Sequence, residues 1–340
     1  MLAMTIQTPV DALFKALADP TRLRIARLLA TMELAVGELA QVLGQSQPRV
    51  SRHVGILCDA GLAERRREGS WVFLRGAGYL EDAGPIIAAL DRLLAVAEMH
   101  EPGFAAACEA DRRKLASIQS ARDAAAAEYF ARHAGEWDEL RALHSPDEQV
   151  EQRLYESLAG HSLGHVLDIG TGTGRIAELL APLADRVVAL DKSLEMLRIA
   201  RARLQHLPAI KAELVQGDFA QLPFNAGQFD TVLLHQVLHF AHNPQVPLAE
   251  AARVTRSGGR IAIVDFANHD REELRSRHQH VRLGFTDTQM SALLQHAGFE
   301  PEAPVALEGG EIVVKIWLGE RNNAGPLRNS SSPSPRKALP

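Results

Sequence analysis

Apolar positions recur at helical spacing at the start of the chain and then give way to two strand-like runs. Val10, Leu13, Phe14, Leu17 and Ala18 fall on one face of a helix that stops at Asp19-Pro20. Leu23, Ile25, Leu28 and Leu29 continue the pattern after Pro20, which suits a first helical turn. A third short helix is expected from Val36 to Leu43, closed by Gly44. Ser46 as N-cap and Pro48 in the first turn open a fourth, ending near Gly61. Leu62 to Arg67 and Ser70 to Leu74 then read as a hairpin around Glu68-Gly69.

Pro85 opens a helix with Ile86, Leu90, Leu93, Leu94 and Ala97 on one face, and the alanine- and charge-rich stretch from Gly103 to Ala134 suits a long exposed linking helix. Beyond it, apolar runs alternate with amphipathic helices. Val166–Ile169, Val187–Leu190, Glu213–Gln216, Thr231–Leu234 and Arg260–Asp265 are the strands, and the alternation predicts a parallel sheet covered on both faces. The expected division is a helix-and-hairpin domain over 8–100, a helical linker and candidate lid over 101–150, an α/β domain over 151–320 and a disordered tail over 321–340.

With 46% apolar and 23% charged residues the composition is that of a soluble globular protein, and 340 residues are enough for two cores. No apolar run approaches the roughly 18 residues of a membrane span, and Met1 to Pro9 lacks the pattern of a signal peptide. Cys58 and Cys108 are too few and too far apart for a disulfide framework, so a cytoplasmic location is expected. The net charge of −5 means that any contact with nucleic acid must come from a local basic patch.

The strongest chemical signal is Asp168-Ile169-Gly170-Thr171-Gly172-Thr173-Gly174, a glycine-rich turn between an apolar strand and a helix. Its spacing is G-x-G-x-G after an acid, unlike the G-x-G-x-x-G of dinucleotide enzymes. The next strand ends in Asp191-Lys192, where a carboxylate can accept hydrogen bonds from ribose hydroxyls, and the third ends in Gly217-Asp218-Phe219. In an open parallel sheet these tips meet at one edge, where ligands bind. Across 160–319 the chain resembles the class I S-adenosylmethionine-dependent methyltransferases, on DIGTGTG, ALDKSLEMLRIAR, GDFAQLPF, FDTVLLHQVLH and RSGGRIAIVDF. The resemblance implies a Rossmann-like, seven-stranded, mostly parallel sheet with an antiparallel last strand near 311–318. It gives the methionine end of the cofactor to Asp168, Gly170 and Gly172, ribose to Asp191, and adenine to Met196, Asp218 and Phe219; Gly174 and Lys192 complete the candidate set. His235 and His239 follow the fourth strand and are candidates for acid–base work, or for structural hydrogen bonds. Tyr129 to His144, with Phe130, Trp137 and Leu140, is a candidate lid over the cofactor, or core. No Pro-Pro-Tyr run or Pro-Cys pair points to DNA methylation, and the domain has no cysteines for arsenite, so a small-molecule acceptor is expected.

In the fourth helix, Val50, Val54 and Leu57 recur on an inward face, leaving Ser46, Gln47, Arg49, Ser51, Arg52 and His53 as candidates for DNA contact. Arg65, Arg66 and Arg67 form a basic element on the hairpin. The segment 10–100 resembles the ArsR/SmtB winged helix-turn-helix repressors, on LFKALADPTRLRIARLL and VGELAQVLGQSQPRVSRHVGILCDAGLAERRREGSWVFLR. That implies an α+β winged module and a homodimer on a double-stranded DNA operator, with the first helix and the 86–97 helix at the interface. The family's metal sites are not matched: Ala35 and Gly37 stand in place of a cysteine pair, and Gly84 and Ala95 in place of histidines beside Asp82 and Glu98, so no metal is expected. Two functions fit. One is a regulator with an active small-molecule methyltransferase; the other is a repressor whose methyltransferase fold only senses S-adenosylmethionine or S-adenosylhomocysteine.

Overall fold

The computed structural model describes residues 9–68, 71–77, 85–142, 147–160, 162–208, 210–307 and 310–322. The hairpin tip at Gly69, the positions Asp82 and Gly84, His144 and most of the expected tail lie outside them. The chain divides into two units: residues up to Tyr129 with Asn268–Leu283, and Phe130–Ala267 with the chain from Gly284.

The first unit begins with α1 (Val10–Leu17), α2 (Pro20–Leu29), β1 (Leu34–Ala35), α3 (Val36–Leu43) and α4 (Gln47–Asp59). The local signals act as expected. Asp19 caps α2 by accepting the Thr21 and Arg22 N–H groups at 2.9 and 3.1 Å, and Gly44 ends α3 at φ +63°. A three-stranded antiparallel sheet follows, in the order β1, β3 (Trp71–Gly76), β2 (Ala63–Glu68), which is the wing. Ile25, Leu39, Val50, Val54, Leu57 and Leu74 form its core. After α5 (Pro85–His100), the long helix α6 (Pro102–His133) is more than a connector. It buries Cys108, Asp111 and Leu115, its Asp111 accepts from Arg24 Nε at 2.7 Å, and its Arg122 pairs with Glu38 of α3.

The second unit contains α7 (Trp137–Ala142) and α8 (Asp147–Leu158), then the alternation read from the sequence: β4 (His165–Ile169), α9 (Arg175–Leu180), β5 (Arg186–Asp191), α10 (Leu194–Leu204), β6 (Ala212–Gln216), β7 (Phe229–His235), α11 (Gln245–Val254) and β8 (Thr255–Phe266). These five strands pair in parallel in the order β8-β7-β4-β5-β6. Helices flank such a sheet on both faces, which explains the buried aliphatic runs at 166–167 in β4, 232–234 in β7 and 261–264 in β8.

After β8 the chain leaves this unit. Residues 268–283, including α12 (Glu273–His278), belong to the first unit, an excursion that linear boundaries do not describe. Arg282, 1% exposed, pairs with Glu33 at 2.8 Å; the Arg275 guanidinium lies 4.5 Å from the centre of the Trp71 ring; and Tyr129 Oη meets His278 Nδ1 at 2.8 Å. The chain returns through α13 (Asp287–Ala297), β9 (Phe299–Pro301), β10 (Val305–Leu307) and β11 (Val314–Arg321). β11 is the expected antiparallel strand, laid against β8. Its outer neighbour is split into β9 and β10, giving eight strands where seven are expected. Pro304, which has no N–H to give a ladder, lies between the two pieces.

Candidate functional site

The glycine turn leaves β4 with three positive φ angles, +70° at Gly170, +56° at Gly172 and +80° at Gly174. Their surroundings differ. A Cβ on Gly170 would lie 2.5 Å from Val237 and one on Gly174 2.9 Å from Ala200, whereas one on Gly172 would meet only the Trp137 indole at 3.6 Å. Gly170 and Gly174 therefore permit close packing, and Gly172 leaves space beside its backbone. Asp168, 1% exposed, accepts from the Thr171 hydroxyl at 2.6 Å and stiffens the turn.

Asp191 joins the two neighbouring strand tips. One of its carboxylate oxygens accepts the Gly172 N–H at 2.8 Å and the other the Ser193 N–H at 2.8 Å. Burial holds its pKa above the ordinary carboxylate value, and these amide hydrogen bonds offset that only in part. Ser193 in turn caps α10 through the Met196 N–H, and Met196 itself is buried. Lys192 Nζ stands 2.8 Å from Asp218, whose other oxygen accepts the Ala220 N–H, and Phe219 packs half-buried beside them.

Part of the segment expected as lid or core forms an aromatic bracket within the second unit. Phe130 packs edge-on against both Trp137 and Phe240, at 5.3 and 4.9 Å between ring centres. Asp138 accepts from Thr173 Oγ1 at 2.7 Å and pairs with Arg203, which fastens α7 to the glycine turn. Both candidate histidines are buried at the end of β7 and just after it. His239 Nδ1 lies 2.8 Å from Asp265, a fully buried carboxylate that also accepts the His239 and Phe266 N–H groups.

On the first unit, α4 buries Val50, Val54 and Leu57 and exposes Ser46, Gln47, Arg49, Ser51 and Arg52. His53 is placed differently: its ring is half-buried and points to Asp19, 3.6 Å away, at the start of α2. The wing arginines alternate as strand residues must. Arg65 and Arg67 are exposed, while Arg66 turns inward, with Nε and Nη2 3.1 and 3.2 Å from Glu33 and its guanidinium over Phe73.

Residues 19–65 match the family described as bacterial regulatory protein, arsR family, and residues 167–263 match the one described as methyltransferase domain. The arsenical resistance operon repressor of Escherichia coli (strain K12) is 47% identical over 73 residues, 21% of this chain and 62% of the repressor. The demethylmenaquinone methyltransferase of Renibacterium salmoninarum is 36% identical over 103 residues, 30% of this chain and 41% of that protein. The malonyl-[acyl-carrier protein] O-methyltransferase of Herminiimonas arsenicoxydans is 34% identical over 180 residues, 50% of this chain and 65% of that one. The chain joins an ArsR-type regulatory module to a methyltransferase domain. It spans between 40% and 65% of the length of the curated relatives it matches.

The cofactor of the methyltransferase domain is S-adenosylmethionine. Of its candidate residues, Asp168 lies in β4, Gly170, Gly172 and Gly174 on the turn after it, Asp191 and Lys192 at the tip of β5, Met196 in the first turn of α10, and Asp218 and Phe219 just after β6. Three features escaped the sequence reading. Asp265, which holds His239, is an acid closing an apolar strand and could have been noticed as one. Gln236 is 7% exposed with φ +54°, a strained conformation for a residue other than glycine. Glu33 of the ArsR-type module has its partner Arg282 far along the chain, beyond any local pattern.

Proposed function

We propose that this protein is a DNA-binding transcriptional regulator that also methylates a small molecule with S-adenosylmethionine. The hydrogen bond between Asp191 and the Gly172 N–H carries the enzymatic half, because it sets a carboxylate beside an amide-lined turn too close for a Cβ at Gly170 or Gly174. Such a cradle fits a nucleoside whose ribose hydroxyls donate to Asp191 and whose charged end lies along Gly170 and Gly172. The bound group supplies an electrophilic methyl on sulfur. Positioning the acceptor against it accounts for much of the rate of an in-line displacement. His239, whose Nδ1 lies 2.8 Å from Asp265, is the candidate base for an acceptor that must lose a proton. A small-molecule acceptor agrees with the loop after β7, His235-Gln236-Val237-Leu238-His239, which lacks the Pro-Pro-Tyr run of amino-methylating DNA enzymes.

The regulatory half rests on the exposed row Ser46, Gln47, Arg49, Ser51 and Arg52 with Arg65 and Arg67 of the wing. Homodimerisation is supported by an uncovered apolar surface: Val10 and Phe14 of α1, with Ile86, Leu93, Val96 and Met99 of α5, are all at least 40% exposed. A cytoplasmic setting suits an operator-binding protein whose two cysteines are both free. Among the described residues no helix is long and apolar enough to cross a membrane.

Calorimetry with S-adenosylhomocysteine tests the cofactor site, and Asp191→Ala is expected to weaken uptake by about tenfold to a hundredfold, the loss of a charged hydrogen-bond acceptor. Absence of uptake by the folded wild type would sink the enzymatic half. Binding that changes operator affinity, without methyl transfer to any of a panel of quinols, phenols and acids, would favour the sensor over the enzyme.

A further inference from the structure

The ArsR-type unit holds a cavity of about 560 Å³ that shares Gln47, Ser51 and Arg65 with the DNA-reading face, within the range of roughly 300–1,000 Å³ usual for small-molecule sites. It exists because Ala35 and Gly37, at the start of α3, fill little space; a Cβ on Gly37 would meet only Gln47 Nε2, at 3.7 Å. Val54, Val72 and the Trp71 indole form an apolar wall, and the Arg275 guanidinium packed on Trp71 braces that ring. Gln41, Gln47 and Ser51 add amide and hydroxyl groups.

The charges decide what fits. Glu38, 6% exposed, is already committed: it accepts the Ala35 N–H at 2.9 Å and pairs with Arg122, so these two lining charges cancel. The other lining cation, Arg65, approaches the Cys58 thiol and forms no ion pair with a carboxylate among the described residues. The chamber is thus largely apolar, with one positive charge left over.

We propose that this cavity binds a small organic carboxylate with an aromatic or branched apolar body. The carboxylate takes the fork of Arg65; the body lies against Trp71, Val54 and Val72. Gln47, Ser51 and Arg65 also belong to the DNA-reading face, so an occupant and the operator compete for them. That consequence rests on the regulatory reading, whereas the binding itself does not.

The test titrates the full chain with benzoate, indole-3-acetate and neutral benzyl alcohol by calorimetry, and follows by anisotropy a labelled duplex from the protein's own upstream region. Both carboxylates are expected to saturate a single site, with benzyl alcohol about tenfold weaker for want of the charge. Gly37→Leu fills the chamber where there is room, and Arg65→Gln removes the cation from the surface. Each is expected to weaken carboxylate uptake about tenfold or more while thermal unfolding stays near that of the wild type. No uptake of either carboxylate, or uptake that both variants leave unchanged, overturns the proposal. Release of the duplex by carboxylate from the wild type but not from Gly37→Leu supports competition, and a duplex held equally tightly at saturation overturns it. Carboxylate uptake by a protein that never binds the duplex upholds the ligand site and refutes the regulatory reading.

Discussion

The wing and the cofactor turn each carry three like residues within a few positions, and in neither place are the three equivalent. Arg65, Arg66 and Arg67 alternate across a strand, so the middle one turns in to Glu33 and Phe73 while its neighbours face outward. Gly170, Gly172 and Gly174 all have positive φ, yet Gly170 presses on Val237, Gly174 on Ala200, and only Gly172 has room above it. On the wing the work is done by side chains leaving a packed backbone. In the turn it is done by the backbone, and any side chain is an intrusion. One triplet can be probed by truncation, the other only by addition.

The largest effect is expected where the inward arginine finds its anchor. Glu33 faces the guanidinium groups of Arg66 and Arg282, and Arg282 is almost wholly buried. Burial pushes the Glu33 pKa up, but Arg282 and Arg66 outweigh it, so the folded value lies below the ordinary one. Glu33→Gln removes the carboxylate that faces two guanidinium groups, one of them buried, and is expected to cost about 3–5 kcal/mol in the first unit, read by chemical denaturation. The sign with pH follows. Because the folded pKa is lowered, the stabilisation from Glu33 is fully present above the ordinary glutamate value, near 4.3, and is lost as the pH falls through the lower folded value. A Glu33→Gln protein as stable as the wild type at neutral pH would show that the inward arginine has no structural role.

How much of this was legible depends on the distance between partners. The faces of α4 follow from a period of 3.6, and β4, β5, β7 and β8 from apolar runs that only a doubly covered sheet requires. The strand alternation that separates Arg66 from Arg65 and Arg67 is also local, and was there to be read. Glu33 and Arg282 are 249 residues apart, and the excursion that joins them begins inside the stretch whose pattern announces the methyltransferase fold. No periodicity reports such a return. Gln236 is obscured for a different reason: its positive φ sits on a residue type that gives no warning of it.

A smaller effect separates the glycines. Gly170→Ala adds a clash with Val237 to left-handed strain and is expected to cost about 2–4 kcal/mol in the second unit. Gly172→Ala meets Trp137 at an ordinary distance, so strain alone, about 1–2 kcal/mol, is expected. Its cofactor affinity should nevertheless fall, because the added methyl enters the space proposed for the ligand. Urea unfolding and S-adenosylhomocysteine calorimetry on the same two variants separate packing from binding. Equal destabilisation by both substitutions would remove the distinction between a packing glycine and a ligand glycine.

The smallest effect is the most direct test of the arginines. If Arg67 touches a phosphate and Arg66 does not, Arg67→Ala lowers operator affinity modestly and reduces the slope of log affinity against log salt by about one, as one fewer counterion is released. Arg66→Ala leaves that slope unchanged and instead lowers the stability of the first unit by about 1 kcal/mol, since Glu33 still has Arg282. The slope, unlike affinity at one salt concentration, is not moved by a slight loosening of the wing. Two variants with the same reduced slope would mean that Arg66 leaves Glu33 when DNA arrives, and that strand alternation in the free protein does not decide which arginines reach the duplex.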